Sequence, residues 1–431
     1  MMREKTIAFY TLGCRVNQYE SDAMAHELSV RGWDVRPFSE PCSVYIINTC
    51  AVTAESERKS RQMIRRARST SPSAFVAVCG CYSQIKPGEA SELADFVCGT
   101  RNKMAAVEAA ERFAAGLDPS SVSVPEPSSL PYEPLFAPHT DRTRAFVKIE
   151  DGCDGKCTYC IIKEARGSVV SRPEDDILNE LERLYVSGYP EVVLTGIETA
   201  AYGRDTGTDL LGLLEKAAAS KHPPRIRLGS IDPAWLTRER SARLAAIPGF
   251  LPHIHLSVQS GSSAVLAAMK RKYNADMLYE NVAACRENIP GVRFSADIIA
   301  GFPGETEEDF GKTVGFLDFA DLVHAHIFPF SERNGTPAAA MAGRLDKKTK
   351  TERAARLSAH QAEIERKDAE KAEGSVCRVL FEENSRGFAY GHTDDFRYVR
   401  VSTDEALHGM IRSVVMTGYR DGTYDAELTK G

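Results

Sequence analysis

The sequence predicts a multidomain α/β protein with a doubly wound amino-terminal domain, a partial (β/α)6 barrel and a small carboxyl-terminal antiparallel β-barrel. Three observations support this prediction. Short apolar runs alternate with polar helical stretches in residues 1–115, the alternation recurs six times over 142–340, and glycine-broken strands fill the end of the chain. At 431 residues the chain is also too long for one ordinary domain.

The amino-terminal domain is predicted from three apolar strands and an intervening helix. The strands are Ile7–Phe9, Val44–Ile47 and Phe75–Val78, and the helix is Ser56–Arg68. Strand–helix–strand alternation indicates a mostly parallel, doubly wound sheet within residues 1–115. Residues 116–141, rich in proline and serine, are typical of a linker.

The barrel prediction covers residues 142–373. Its candidate strands are Ala145–Ile149, Glu191–Thr195, Arg225–Leu228, Ile254–Val258, Phe294–Ile299 and Val323–Phe328. Six units favour a partial barrel over a closed barrel of eight. The charged stretch Asp346–Glu373 predicts a long exposed helix. Residues 374–431 contain the short strands Val376–Phe381, Tyr398–Val401 and Arg412–Gly418, a pattern typical of a small β-barrel.

Composition limits the possible classes of protein. No apolar run reaches the ~20 residues that a membrane span needs, and the start, MMREKTIAFY, lacks a secretory signal, so we expect a cytoplasmic protein without membrane contact. The net charge of −6 means that any RNA contact must come from local patches. Eleven cysteines in a reducing compartment indicate metal binding or redox chemistry rather than disulfides.

One group of cysteines lies in a tight loop after the first barrel strand. Cys153, Cys157 and Cys160 form a CxxxCxxC pattern. Three thiolates can hold three irons of a cubane cluster and leave the fourth iron open to a ligand. The alternative is a structural zinc site, but zinc normally takes four ligands, and no fourth Cys or His lies in the loop.

A second group is dispersed along the chain. Cys14, Cys50 and Cys81 each follow the carboxyl end of a predicted strand. Because such ends converge on one crevice in an open parallel sheet, the three thiols are expected to meet and hold a second cluster. The alternative is that they are small buried hydrophobes, the interpretation we also give to Cys42, Cys98, Cys285 and Cys377.

The cysteine loop resembles the signature of the radical S-adenosylmethionine superfamily, and the whole chain is similar to its methylthiotransferases. That resemblance implies that all six cysteines hold two [4Fe–4S] clusters and selects Cys81 over the neighbouring Cys79. It also implies S-adenosylmethionine as radical source and methyl donor, an electron donor such as flavodoxin or ferredoxin, and the tRNA anticodon loop as partner. It assigns no catalytic side chain.

Further cofactor contacts are expected at the ends of barrel strands. The motifs TGIE (195–198), LSVQSG (256–261) and DIIAGFPGET (297–306) resemble family signatures, and the resemblance implies cofactor-binding residues at Tyr159, Gly196, Glu198, Gln259 and Phe302. The alternative is ordinary strand-to-helix turns. The family's Pro-Tyr is replaced here by Lys163-Glu164, so no role is carried over to them. Arg166 is either a substrate or cofactor contact or part of a structural salt bridge.

The residues around Cys14 and Cys50, together with HIFPFSERNGTPAAAM (326–341), look most like the branch that acts on N6-threonylcarbamoyladenosine at position 37 of tRNA. The alternatives are isopentenyladenosine tRNA or a ribosomal protein as substrate, or a radical enzyme whose second cluster only transfers electrons. A different class remains open, an RNA-binding module with structural metal.

Two regions are candidates for RNA contact. The stretch Glu57–Arg68 carries six basic residues and one acid, and Arg61, Arg65 and Arg68 are its predicted phosphate contacts; the alternative is a solvated charged face. The terminal barrel resembles a TRAM domain, a small RNA-binding barrel. There Phe388, Tyr390, Phe396 and Tyr398 are either stacking faces for bases or core residues.

Overall fold

A computed structural model of the protein describes residues 4–119, 122–137 and 142–429. The amino-terminal part contains a six-stranded parallel sheet in the order β2-β1-β3-β4-β5-β6. Its strands are β1 (Thr6–Thr11), β2 (Asp34–Arg36), β3 (Val44–Thr49), β4 (Phe75–Gly80), β5 (Phe96–Cys98) and β6 (Val122–Ser123). Its helices are α1 (Arg15–Val30), α2 (Ala54–Thr70), α3 (Cys81–Ile85), α4 (Pro87–Ser91) and α5 (Met104–Ala114). The predicted doubly wound sheet is confirmed.

The strand order places the sheet's ligand-binding crevice beside the predicted cluster cysteines. After β1 the chain crosses to β2 on one side, then returns to β3 on the other, so the topology reverses between β1 and β3. Ligands bind at such switch points, outside the carboxyl ends of the strands. Cys14 and Cys50 follow β1 and β3 within a few residues, and Cys81 follows β4 directly.

The middle of the chain forms a partial barrel from two neighbouring parallel sheets, β11-β10-β7 and β12-β13-β14-β15. The strands are β7 (Arg144–Lys148), β10 (Glu191–Thr195), β11 (Ile226–Leu228), β12 (Ser230–Ile231), β13 (His253–Gln259), β14 (Arg293–Ala300) and β15 (His324–Pro329), with a small hairpin of β8 (Glu150–Asp151) and β9 (Val170–Ser171). The helices are α6 (Ile162–Arg166), α7 (Glu174–Val186), α8 (Leu210–Ala218), α9 (Arg238–Ala245), α10 (Ser263–Ala268), α11 (Ala275–Asn288), α12 (Glu307–Ala320) and α13 (Lys347–Ala372).

Strand alternation divides the barrel residues between an apolar outer layer and a polar interior. Val147, Leu256 and Ile298 belong to the main apolar core under the helices. Because successive side chains in a strand point to opposite faces, their neighbours Phe146, His255 and Asp297 face the inside. We call this interior, lined from β7, β13, β14 and β15, the lumen. The edge strands β7 and β15 leave it open on one side, where α1 packs against Phe146.

The long helix α13 is present as predicted, but the prediction that it is exposed was wrong for one of its faces. Leu357, Ile364 and Ala369 are buried, and the helix packs between the partial barrel and the terminal barrel. The sequence did not indicate this buried face because the face itself contains charged residues. One of them, Asp368, pairs with Arg397 of the terminal barrel at 2.7 Å. Composition alone does not distinguish such a face from a solvated surface.

The terminal residues form the predicted small β-barrel, which is closed and covers the amino-terminal ends of the partial-barrel strands. Its strand pairs are antiparallel as predicted, except that the third and fifth strands pair in parallel. Its strands are β16 (Val376–Ser385), β17 (Phe388–Thr393), β18 (Tyr398–Ser402), β19 (Ile411–Arg420) and β20 (Thr423–Leu428), closed in the order β16-β17-β18-β20-β19. Arg144 at the start of β7 pairs with Glu382 at 2.7 Å. His253 at the start of β13 stacks on Phe396 with ring centroids 4.3 Å apart.

Part of the stretch interpreted as a linker is packed against both neighbouring regions. Tyr132 is buried and donates a hydrogen bond to the Lys148 carbonyl at 2.9 Å, and the Glu133 carboxylate accepts from the backbone N–H groups of Lys103 and Met104. Leu135 packs with Tyr19 of α1. Apolar residues between the prolines are buried, so this segment fixes the two sheets together.

None of the helices in the described ranges has both the length and the apolarity to cross a bilayer.

Candidate active site

The cysteine loop of the barrel lies between β8 and α6, at the carboxyl ends of the barrel strands. The Cys153 thiol donates to a Glu198 carboxylate oxygen at 3.0 Å and accepts from the Gly155 N–H at 3.2 Å. The Arg271 guanidinium donates to the Cys157 sulfur at 3.3 Å. Burial and the neighbouring Glu198 raise the pKa of the Cys153 thiol.

The TGIE segment sits directly against this loop and has a structural reason for its glycine. A side chain at Gly196 would place its Cβ 2.1 Å from a Glu150 carboxylate oxygen. That same oxygen accepts the Glu198 backbone N–H at 2.5 Å, while the other Glu150 oxygen is buried without a hydrogen-bond partner among the described residues. Burial and Asp151 raise the pKa of Glu150 well above its ordinary value. This edge therefore holds a buried carboxyl oxygen that has no hydrogen-bond partner in the described part of the chain.

The remaining predicted cofactor residues lie at the ends of neighbouring strands. Tyr159 and Phe302 meet edge to face with centroids 6.5 Å apart, and Phe302 is completely buried in a small apolar cluster with Phe330. Gln259 ends β13 with a φ of 68°, a left-handed conformation unusual for a residue with a side chain. The structure thus brings all five positions to the rim that carries the cysteine loop; their cofactor contacts stay predictions.

The amino-terminal cysteines converge as their positions after the strands predict. Gly13 has a φ of +99°, and a Cβ there would lie 3.0 Å from the Cys50 sulfur, which shows how closely the Cys14 loop approaches Cys50. The Cys81 thiol interacts electrostatically with Cys50 and Cys14. Burial raises its pKa to about 12, against the opposing effect of the Arg166 guanidinium. Burial thus disfavours a free thiolate at Cys81.

Cys79, two residues before Cys81, belongs to a different environment. Its side chain lies in the apolar cluster on the other face of the sheet, with Ile7 and Phe96, and its thiol is hydrogen-bonded to Cys98. Cys81 instead belongs to the cluster that contains Ala165 of the barrel part. This separation agrees with the choice of Cys81, although its role as a ligand stays a prediction.

Arg166 links the two cysteine groups through a completely buried ionic network. Its guanidinium pairs with Glu20 at 2.8 Å and with Asp151 at 3.1 Å. Lys103 and Lys148 also pair with Glu20, at 2.9 and 2.7 Å. Of the two roles considered for Arg166, the salt bridge is present. Its partners were missed because nothing in their sequence spacing relates them.

The donor set of each cysteine group, three thiols without a fourth Cys or His, suits a multi-iron group better than a structural zinc ion. Among the residues that the structure describes, no three thiol, imidazole or carboxylate groups lie close enough to share one metal ion. A structural zinc site requires four ligands around one ion, whereas each thiolate of a cubane cluster binds a different iron. An arginine lies near each cysteine group and can balance thiolate charge. Arg271 contacts Cys157 of the loop, and Arg166 interacts with Cys81 of the amino-terminal group.

The residues predicted to bind RNA differ in exposure and in whether other side chains already contact them. Arg61 interacts with Glu57 and Glu89 and lies over the Tyr82 ring, and Arg68 pairs with Asp95 at 2.6 Å. Arg65 is exposed on α2 and makes no ion pair within the described ranges. In the terminal barrel Phe396 is stacked between His253 and His392, so it is not a free stacking face. Tyr390 and Tyr398 remain on the surface.

Comparisons with known proteins agree with this architecture. Residues 147–317 match the family described as "Radical SAM superfamily", and residues 6–99 match "Uncharacterized protein family UPF0004". A solved structure of the radical S-adenosylmethionine methyltransferase TsrM from Kitasatospora setae superposes with a TM-score of 0.57 at 17% identity, covering 78% of this chain and 75% of that one. The fold and the cysteine loop define a radical S-adenosylmethionine enzyme.

Similar proteins show which family of radical S-adenosylmethionine enzymes this chain belongs to. The chain is 36% identical over 421 residues to "Threonylcarbamoyladenosine tRNA methylthiotransferase MtaB" of Bacillus subtilis, covering 95% of this chain and 93% of the relative. It is 37% identical over 380 residues to the protein of that name from Thermotoga maritima, covering 88% and 87%. It is 33% identical over 441 residues to "tRNA-2-methylthio-N(6)-dimethylallyladenosine synthase" of Moorella thermoacetica, covering 99% of each. The chain belongs to the radical S-adenosylmethionine tRNA methylthiotransferase family. Its cofactors are S-adenosylmethionine and two [4Fe–4S] clusters.

Proposed function

We propose that this enzyme converts N6-threonylcarbamoyladenosine at position 37 of tRNA into its 2-methylthio derivative. The observation that carries the proposal is the near full-length similarity to relatives named for that substrate, at 36% and 37% identity. The convergence of two cysteine groups on a shared, buried boundary supports it, because the reaction needs both a radical source and a sulfur donor close to one carbon atom.

In this proposal Cys153, Cys157 and Cys160 hold the cluster that binds S-adenosylmethionine, and Cys14, Cys50 and Cys81 hold the other. When bound, these groups supply a carbon-centred radical that removes the C2 hydrogen and the methylthio group that replaces it.

The chain's own residues orient these groups and shield them from water. Arg271 donates to the Cys157 sulfur, and the Glu150 carboxylate fixes the backbone of Glu198 beside Cys153. Arg166 and its ion pairs exclude solvent from the boundary between the two cysteine groups, since these side chains are at most 2% exposed. Rigid placement of this kind is what the protein contributes when the cofactors carry the difficult chemistry.

Contact with the anticodon loop is proposed to come from α2 and the terminal barrel. Arg65 offers a positive charge that no acid of the described ranges pairs with, whereas Arg61 and Arg68 must exchange their acidic partners for phosphate. Tyr390 and Tyr398 supply adjacent rings, 5.9 Å apart and nearly parallel. A small iron–sulfur or flavin protein is the proposed electron donor, and the proposed compartment is the cytoplasm.

The test is nucleoside analysis of tRNA treated with the reconstituted enzyme under reducing, anaerobic conditions. One tRNA carries N6-threonylcarbamoyladenosine and the other carries isopentenyladenosine, in the same anticodon stem-loop. We expect a CH3S group on the first. The 33% identity to the dimethylallyladenosine enzyme makes the second the alternative outcome, and preferential modification of it would overturn the substrate while leaving the reaction class intact.

A further inference from the structure

Arg15 is a positively charged side chain that enters the lumen without a hydrogen-bond or ion-pair partner in the part of the chain that the structure describes. It opens α1 directly after Cys14 and is half-buried. Its guanidinium carbon lies 5.9 Å from the centre of the Phe146 ring, which faces the lumen from β7. Within the described ranges, the Arg15 guanidinium makes no hydrogen bond and no ion pair. Such a cation in a confined polar space attracts an anion.

The groups facing Arg15 form a polar patch on the opposite strands. His255 on β13 contacts the Asp297 carboxylate on β14 at 3.2 Å and Ser295 at 2.8 Å. His326 on β15 stands beside Asp297 in register, with its ring 5.7 Å from that of His255. Arg15 interacts electrostatically with Asp297, but that carboxylate already has His255 as its contact partner.

The other arginines near the lumen are compensated. Arg144 and Arg227 both pair with Glu191, at 2.5 and 2.9 Å. Their charges repel Arg15 rather than satisfy it. Arg15 therefore differs from them in presenting a guanidinium that has no ion-pair partner among residues 4–119, 122–137 and 142–429. It does so beside Cys14, at the side of the lumen where the substrate carbon must approach the amino-terminal cysteines.

We propose that Arg15, with His255 and His326 opposite, forms a subsite for the carboxylate carried by the N6 substituent of the substrate base. The proposal rests on the proposed function, since the threonylcarbamoyl group ends in a carboxylate and the dimethylallyl group is uncharged. A guanidinium matches a carboxylate with two parallel hydrogen bonds. An apolar substituent would leave the cation unpaired, and sites built around a polar partner reject analogues that lack it.

The experiment measures binding rather than turnover. Fluorescently labelled anticodon stem-loops are titrated onto the cluster-loaded enzyme without S-adenosylmethionine. They carry adenosine, N6-threonylcarbamoyladenosine, the methyl ester of its carboxylate, or isopentenyladenosine. We expect the free carboxylate to bind about 10- to 100-fold more tightly than the ester, the range for one charge-assisted contact. In Arg15→Gln this preference should fall to within about threefold, since the guanidinium supplies it. Arg15→Lys should keep part of it.

Arg142 supplies a matched control. It lies over the same Phe146 ring, 5.4 Å from its centre, but it is paired with Asp22. Arg142→Gln should therefore keep the wild-type preference for the free carboxylate. Iron content and the midpoint of thermal unfolding verify that each variant is folded and loaded.

The outcomes separate the two proposals. Full retention of the carboxylate preference in Arg15→Gln overturns the subsite, as does equal binding of acid and ester by the wild-type enzyme. The ester comparison stands even where the variant fails to fold. Tighter binding of the isopentenyl loop than of the threonylcarbamoyl loop by the wild type would instead overturn the proposed substrate.

Discussion

Glu20 in the amino-terminal part and Arg166 in the barrel part form an ion pair at 2.8 Å, and neither side chain is accessible to solvent. Burial alone would raise the pKa of Glu20, yet Arg166, Lys103 and Lys148 hold it well below its usual range. Three cations thus share Glu20, and Asp151 is the other carboxylate in contact with Arg166 and Lys148. The surplus of positive charge lies next to Cys81, and it would balance the negative charge of the thiolates in the proposed cluster.

Replacing Glu20 by glutamine should strongly destabilise the protein. The change leaves buried cations with one carboxylate too few, and breaking a buried ion pair on one side costs about 3–5 kcal/mol. Urea-induced unfolding of the cluster-loaded enzyme measures the loss in free energy of unfolding. Glu27 on the same helix is the control, because its pair with Arg31 is exposed and contributes at most about 1 kcal/mol. Equal effects of Glu20→Gln and Glu27→Gln would contradict a structural role for the network.

The Cys153, Cys157 and Cys160 triple alanine variant should lose about half of the bound iron, because one of two equal clusters has lost its ligands. It should also form no 5′-deoxyadenosine from S-adenosylmethionine under reducing conditions. Iron analysis and chromatography of the nucleoside measure the two effects. Cys377→Ala, a half-buried cysteine of the terminal barrel, should match the wild type in both. Continued cleavage in the triple variant would show that the radical cluster lies elsewhere.

Single alanine variants at Cys14, Cys50 and Cys81 should lose the methylthiolated product but retain some 5′-deoxyadenosine. The reason is that the two cysteine groups belong to different sheets, so that one can be dismantled while the other stays in place. Mass spectrometry of tRNA nucleosides detects the loss. Cys79→Ala is the built-in comparison, since that thiol faces Cys98 in another apolar cluster, and this variant should still make product. Product loss there would point to Cys79 as the ligand.

The parts of this site that the sequence predicted are those marked by a local pattern of residues, whereas contacts between residues distant in the chain were not predicted. The convergence of Cys14, Cys50 and Cys81 was predicted because each follows a strand, and strand ends in a parallel sheet meet in space. The loop of Cys153 was predicted as a cluster site because its spacing is local, and the ligand roles of all six cysteines stay predictions. Glu20 was missed, since it lies far along the chain from Arg166 and Lys103, and no periodicity encodes such contacts.

The fold followed the same rule. Strands and helices were predicted from local alternation, and the small terminal barrel was predicted from short strands interrupted by glycines. The sequence analysis did not predict that charged or proline-rich segments are buried. One face of α13 and part of the segment before β7 are packed, because each supplies apolar or ion-paired groups to a surface distant in sequence. Phe396 likewise stacks on His253 across the boundary between the two barrels, a contact that the sequence did not predict.

Acidification should weaken that boundary. His253 is buried, contacts the Ser295 hydroxyl at 2.9 Å and stacks on Phe396. Burial and the charge of Arg227 hold its pKa well below the ordinary value. The unfolded chain takes up a proton near pH 6.5, whereas the folded chain does not, so this contribution is complete above about pH 6.5 and is lost as the pH falls below it.

The measurement compares the free energy of unfolding at pH 7.5 and 5.5 for the wild type and for His253→Phe, which keeps an aromatic ring but cannot titrate. The wild type should lose about 1 kcal/mol more than the variant between these values, since one pH unit below the unfolded pKa corresponds to about 1.4 kcal/mol. Identical pH dependence in both would exclude His253 as the titrating group.

Contact with tRNA should depend on stacking as well as on charge. Tyr390 and Tyr398 lie nearly parallel on the terminal barrel, and the larger exposed surface belongs to Tyr398, at 36%. Each stacked base contributes about 1–3 kcal/mol, so the double alanine variant should bind tRNA about tenfold or more weakly. Its slope of log affinity against log salt should not change, because no charge is removed, whereas Arg65→Gln should lower that slope by about 1. Tyr185→Ala is the control, a tyrosine that is 49% exposed and also stacked, on His222, but on the outer helix α7. Anisotropy titrations at several salt concentrations distinguish these effects, and wild-type affinity in the double variant would remove the terminal barrel from the RNA-binding surface.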